Sequence, residues 1–323
     1  MSRVAIIGAG NLGAYLGTQL KAAGHDVFFC VRRNPPSALR FENSPVWHFP
    51  YFFRHPPAAD IVLMTVKTYD TPGALPWLAH LCKDNQPVAV IQNGVGQGER
   101  ISPYRAIPVL CYVYVEAQNG VYHAFLPKHA HFTIPSQSTC NPFADLFANT
   151  NIEVEREGAF HTAAWRKLLH NCVSNPLTAI AGRGLEILQE EKYLELAQAI
   201  LAEAFPIAQA DGARVRATEV NKILTVLSSY PQGTRTSMLQ DFERGKRSEI
   251  DVLNGAVIEI GKKYGLATSV NEQVVQMLNE RWNELAEAKK LAAAAGAGSS
   301  NGRRIPPKSG TPKSFPKPAA RKI

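Results

Sequence analysis

Residues 3–33 read RVAIIGAGNLGAYLGTQLKAAGHDVFFCVRR. Val4 to Ile7 form a continuous apolar run and Gly8, Gly10 and Gly13 follow at once. An apolar helical pattern then runs through Leu16 and Leu20 to Gly24, and a second apolar run spans Val27 to Val31. Three glycines at this spacing are weak evidence alone, since they arise by chance in about one chain in ten of this length and glycine content. Placed between a strand and a helix they predict a βαβ unit that binds a dinucleotide. Gly8 allows the tight turn, Gly10 lets the backbone approach a pyrophosphate, and Gly13 lets helix and strand pack closely. The helix amino terminus offers N–H groups to phosphate. Gly8, Gly10, Asn11, Leu12 and Gly13 are therefore candidate cofactor contacts.

The end of the second strand distinguishes the nicotinamide cofactors. A NAD site usually carries Asp or Glu there for the ribose hydroxyls. This chain has Arg32, followed by Arg33. An arginine fork suits a 2′-phosphate, so the expected cofactor is NADP(H). Further apolar runs at 60–66, 87–92 and 108–117, and shorter ones near 130–135 and 151–157, predict a mostly parallel, buried sheet. Lys67 follows one run, and Asn93 lies in the QNG that ends the next. In open α/β sheets ligands bind outside the carboxyl ends of strands, so both residues are candidate cofactor contacts. A solubilising lysine and a plain turn fit the same positions. Residues 34–57, rich in proline and aromatics, read as an irregular excursion.

From Gly158 the pattern turns helical, at 159–175, 190–211, 216–229, 234–244, 249–264 and 270 to about 292. The expected architecture is α/β: a Rossmann-type domain (1–157), an all-helical domain (158–292) and a disordered basic tail (293–323). Such a plan leaves a cleft for a small substrate. In WRKLLHNCVSNPLTA (165–179), Lys167, Asn171 and Asn175 recur every four residues, opposite Leu168, Leu169, Cys172 and Val173. A solvated face fits this stripe, yet Asn and Ser are poorer helix formers than the Glu, Lys and Gln that usually build one. A stripe facing the cleft is the competing reading. In SEIDVLNG (248–255), a helix opened by Glu249 and Asp251 would set Glu249 at the edge of an apolar face of Ile250, Leu253, Val257 and Ile260. The helix dipole favours a carboxylate there, and Lys167 is its natural partner.

Composition is that of an ordinary globular chain, 45% hydrophobic and 19% charged over 323 residues. The five cysteines lack metal-ligand or disulfide-framework spacing, so no metal is expected. The first strand candidate begins directly after Met1 and Ser2, and no run reaches membrane-spanning length, so the expectation is a cytoplasmic protein without a membrane partner. Of the net charge of +8, seven lie on basic residues after Gly296, where no acidic residue occurs. The nearly neutral body gives no strong nucleic-acid signal, and the Pro, Gly and Ser rich tail has little to bury.

Four motifs together, GAGNLG, TVK with QNG, WRKLLHNCVSNPLTA and SMLQDFERGKRSEIDVLNG, make residues 3–285 resemble the ketopantoate reductases (2-dehydropantoate 2-reductases). The resemblance implies NADPH-dependent reduction of ketopantoate to pantoate in coenzyme A biosynthesis. It implies Lys167 as general acid, Asn171, Asn175 and Ser237 as holders of the keto acid, and Glu249 as a residue that orients substrate and lysine. Arg32, Lys67 and Asn93 serve the cofactor. Thr234 stands where some members carry asparagine. The expected partner is a small 2-oxo acid, and the chain a monomer or homodimer. Two alternatives remain: an NADP-dependent reductase of another 2-oxo acid, and a non-catalytic NADPH-binding regulator.

Overall fold

The computed structural model describes residues 1–33, 35–127 and 131–296, with side chains as far as 288. The chain divides into two compact units, Met1–Lys167 and the part from Leu168 onward.

The first unit is built on a six-stranded sheet in the order Tyr51–Phe52, Asp26–Cys30, Arg3–Ile7, Ile61–Met64, Val88–Val90, Ala106–Pro108. Every neighbouring pair runs parallel. This is the doubly wound dinucleotide-binding order, with its topological switch point between Arg3–Ile7 and Ile61–Met64. The continuous apolar runs are explained by which face each residue serves. Val4, Ile6, Val27, Phe29, Ile61, Leu63 and Ala89 join one core with Ala14, Leu16 and Leu20 of the helix Asn11–Ala22. Their alternates Ala5, Ile7, Phe28, Cys30, Val62, Met64, Val88 and Val90 join the other with Ala74, Leu78 and Leu81 of the helix Thr71–Leu81.

Two local expectations change in this unit. The run 108–117 is not one strand. Ala106–Pro108 ends the parallel sheet, and Leu110–Cys111 turns to pair antiparallel with Phe132–Pro135. Tyr114–Gln118 forms a hairpin with Val121–Phe125. The hairpin turn is Asn119-Gly120, both at positive φ, the dipeptide that a two-residue turn of this hand favours. The 34–57 stretch contributes structure: Leu39–Arg40 pairs with Val46–Trp47, and Tyr51–Phe52 supplies the sheet's edge strand. Phe29 stacks on Tyr51 and meets Phe49 edge to face, which packs these two aromatics of the stretch against the core, while Phe53 is exposed.

The described residues of the second unit carry helices and no strand: the rest of Phe160–Ala181, then Glu191–Ala210, Ala217–Ser228, Ser237–Glu243, Asn254–Tyr264 and Ser269–Gly296. The apolar stripe Leu196, Ile200, Ala204, Ile207 is buried, as its spacing requires. The helix expected over 249–264 is broken. Ile250–Val252 forms a short 3₁₀ turn, Leu253 takes φ −107° and ψ −98°, and the α-helix starts only at Asn254. Glu249 therefore does not sit in a first α-helical turn, although its side chain is buried. The helix expected to end near 175 continues through Pro176 to Ala181, and the last one continues to Gly296. The expected tail from 297 on lies outside the described residues. No described helix is long and apolar enough to cross a membrane.

Candidate active site

The glycine loop fits a dinucleotide. Gly8 has φ +107°, and a Cβ there would lie 2.8 Å from Val66 Cγ1. A Cβ on Gly13 would lie 2.1 Å from the Gly8 carbonyl oxygen, so the helix can approach the strand only without a side chain. At Gly10 a Cβ would meet nothing within 4 Å. Packing thus accounts for two glycines and leaves the space over the third open, as close approach of a pyrophosphate requires. No side chain caps the helix Asn11–Ala22, and no acidic residue stands in its first turn. The Thr65 hydroxyl donates to the carbonyls of Ile7 and Gly8 and fixes the loop from the neighbouring strand. Asn11 donates through Nδ2 to the Val115 carbonyl at 2.9 Å, and Leu12 packs against the core.

Arg32 ends the second strand, half exposed, and pairs through Nη2 with Asp70 Oδ1. Lys67 lies at the start of the 3₁₀ turn Thr68–Asp70, beyond the strand Ile61–Met64. Asn93 lies beyond Val88–Val90, in a loop held from several sides. Gln92 donates to the Val66 carbonyl and to Thr71 Oγ1. Arg100 donates to Gln92 Oε1 and to the carbonyls of Asn93 and Val95.

Lys167 is the last residue of the first unit, and its Nζ donates to Asn93 Oδ1 at 3.3 Å. The same ammonium lies 5.4 Å from the Tyr112 ring centroid, in range for attraction to the ring face. Cys111 stands beside them. Burial pushes its thiol up, and the Lys167 charge opposes that rise. Tyr112, too, is raised above the ordinary phenol range, chiefly by burial.

In the second unit Asn175 and Ser237 come together. Asn175 Oδ1 accepts from Ser237 Oγ at 3.2 Å and from the Met238 N–H at 3.3 Å. One turn on, the Thr178 and Thr236 hydroxyls bond at 2.6 Å, and Thr236 caps the helix Ser237–Glu243. Asn171, partly buried, makes no side-chain hydrogen bond among the described residues. Because Lys167, Asn171 and Asn175 belong to one helix, they lie along one side of it. Glu249 is buried just before the 3₁₀ turn Ile250–Val252.

Sequence reasoning missed Thr65, Asp70, Arg100, Tyr112 and Asn254. The first four are single residues in loops or strand ends without periodicity. Asn254 sits in a motif that was noticed, but its role needs the partner. Cys172 would normally offer its carbonyl to the N–H of residue 176, and Pro176 has none. Asn254 Nδ2 donates to that carbonyl at 3.0 Å and to Asn271 Oδ1 at 3.0 Å.

A parallel sheet in this strand order, with a glycine cradle and a lysine at its carboxyl edge, defines an NAD(P)H-dependent oxidoreductase. The family description "Ketopantoate reductase PanE/ApbA" matches residues 4–134, and "Ketopantoate reductase PanE/ApbA C terminal" matches residues 159–281. Together they span well over half of the sequence, and the chain belongs to the ketopantoate reductase family. It is 28% identical over 288 residues to a 2-dehydropantoate 2-reductase of Mycobacterium tuberculosis, covering 85% of this chain and 96% of the relative. It is 29% identical over 293 residues to the corresponding Caulobacter vibrioides protein, covering 86% and 99%. Among solved structures, a PanE/ApbA family ketopantoate reductase from Ralstonia eutropha superposes with TM-score 0.75 at 27% identity, covering 88% of this chain and 99% of that one. A dimeric ketopantoate reductase from Staphylococcus aureus shares the fold with TM-score 0.79 at 22% identity, with the same coverage.

Proposed function

We propose that this chain reduces 2-dehydropantoate to pantoate, with NADPH as donor and Lys167 as the proton source. When bound, the cofactor supplies hydride to the carbonyl carbon. The observation that carries the assignment is the Lys167–Asn93 hydrogen bond. It holds an ammonium at the carboxyl edge of the parallel sheet, where this fold binds its ligands. As the carbonyl oxygen gains negative charge, Lys167 stabilises it and delivers the proton, a contribution of about 10² to 10⁴-fold for a positioned acid. Asn93 directs the lysine by accepting one of its N–H donors. Asn171, Asn175 and Ser237 are assigned to the carboxylate and hydroxyl of the keto acid, which amides and a hydroxyl bind without a competing charge. Glu249 is assigned to orienting substrate and lysine. Gly8, Gly10, Asn11, Leu12, Gly13, Arg32, Lys67 and Asn93 are assigned to the dinucleotide, with Arg32 on the 2′-phosphate.

The test is NADPH oxidation, read at about 340 nm where reduced nicotinamide absorbs. Purified protein is offered ketopantoate, pyruvate, 2-oxoisovalerate and oxaloacetate separately. The reading requires a clear preference for ketopantoate that disappears in Lys167→Ala. Equal turnover of all four acids, or none, overturns it.

A further inference from the structure

Asp70 immediately precedes the helix Thr71–Leu81, where an aspartate ordinarily accepts a hydrogen bond from the helix's own first N–H groups. Its side chain makes no such cap. The carboxylate turns instead to Arg32, and the two side chains are 34% and 53% exposed. The guanidinium lies against Gly73, where a Cβ would come within 2.6 Å of Nη1 and 3.2 Å of Cζ. An ion pair this exposed adds little to stability. Yet the helix goes without its cap, and position 73 carries no side chain in the space the guanidinium fills. The cluster stands where the ribose of a dinucleotide is read, at the end of the second strand.

We propose that Asp70 is the ribose acceptor of this site, so that the protein binds NADH as well as NADPH and the Arg32–Asp70 pair sets the ratio. This inference rests on the dinucleotide-dependent reading above. A NAD site needs a carboxylate for the ribose hydroxyls, usually at the strand end itself. Here Arg32 occupies that position, and the carboxylate arrives from the 3₁₀ turn after Ile61–Met64, two strands along in the sheet. With NADH, Asp70 accepts from the 2′-hydroxyl. With NADPH, Arg32 has five N–H donors, enough to hold phosphate and Asp70 together. The Asp70 charge then opposes the phosphate charge, which narrows the preference for NADPH.

The experiment is equilibrium titration of the full chain with NADPH and with NADH, without keto acid, followed by protein fluorescence quenching. Asp70→Asn is expected to weaken NADH about tenfold, the loss of one charge-assisted hydrogen bond, and to leave NADPH equal or tighter. Asp70→Glu should restore part of the NADH affinity. Gly73→Ala, which displaces the guanidinium, should weaken NADPH and spare NADH. An unchanged NADH to NADPH ratio in Asp70→Asn overturns the proposal. So does equal weakening of both, or weakening of NADPH alone, since Asp70 would then only hold the loop or the arginine. If the unaltered protein binds neither dinucleotide, the reductase reading falls with it. Normal binding with an unmoved ratio sinks only the role of Asp70.

Discussion

Pro176 and Asn254 should be energetically coupled, although they lie in different motifs. In Asn254→Ala the carbonyl of Cys172 and Oδ1 of Asn271 lose the donor they share, and all three residues are fully buried. Each buried acceptor left without its bond costs about 1–3 kcal/mol. The substitution also removes Asn254 Oδ1, itself a buried atom without a hydrogen-bond partner. The net loss is then about 2–4 kcal/mol, or roughly 1 M in the urea midpoint for a slope near 3 kcal/mol/M. Pro176→Ala restores an N–H four residues after Cys172. Alone it should be neutral or stabilising, since proline is the worst interior helix residue. In the double variant the backbone N–H gained at position 176 takes over the Cys172 carbonyl, so Asn254→Ala should cost about 1–2 kcal/mol less than in the native background. Urea unfolding of the four proteins, followed by far-ultraviolet circular dichroism, measures the cycle. Equal cost in both backgrounds would refute the idea that Asn254 replaces the missing donor.

Other outcomes follow from the site. Lys167→Ala should lower kcat by about 10² to 10⁴-fold while NADPH affinity stays within a few-fold, and retained turnover removes the lysine from proton transfer. Arg32→Ala should weaken NADPH by about 10- to 100-fold, the worth of a hydrogen-bonded charge pair, with NADH little affected; titration of both cofactors decides. Gly13→Ala, whose Cβ would stand 2.1 Å from the Gly8 oxygen, should abolish measurable cofactor binding and cost about 1–3 kcal/mol. Burial pushes the Cys30 and Cys172 thiols up to about 12, so both stay protonated at pH 8. Iodoacetamide should label them only after unfolding, as mass spectrometry would read. Their native pKa exceeds that of an unfolded thiol, about 8.5. Stability from this source is therefore complete below about 8.5 and declines as pH rises toward 12.

The parallel sheet was legible because a buried strand has to be apolar on both faces. Val4 to Ile7 cannot be solvated anywhere, and the division of Val4 and Ile6 from Ala5 and Ile7 between two cores is what that run requires. What was not legible depends on partners. Nothing in PVLCYVYVEA shows that Leu110 meets Thr133 while Val115 meets Ala124, since apolar alternation does not specify the neighbour. The Asn119-Gly120 turn was the one available signal. Tyr51–Phe52 is too short to show a period, and it joins the sheet because Asp26–Cys30 offers it an open edge.

The polar stripe on the helix Phe160–Ala181 separates by residue. Ser174 returns its hydroxyl to the His170 carbonyl, the usual accommodation of a serine inside a helix. Asn175 spends its side-chain oxygen on Ser237 and on the Met238 N–H, so its carbonyl side fastens one motif to another. Its amide nitrogen donates to Ser174 Oγ at 3.5 Å, so the partly buried side chain of Asn171 is the part of the stripe best placed to address a substrate in the proposed reaction. The poor helix propensity that first marked these residues therefore has two causes. Asn175 serves tertiary packing, and Asn171, whose side chain makes no hydrogen bond among the described residues, is where the proposed substrate contact best explains the choice. Asn171→Ala should accordingly raise KM for the keto acid and leave the urea midpoint unchanged. Asn175→Ala should move both, because it also releases the amino terminus of the helix Ser237–Glu243. Identical behaviour of the two variants would contradict this division.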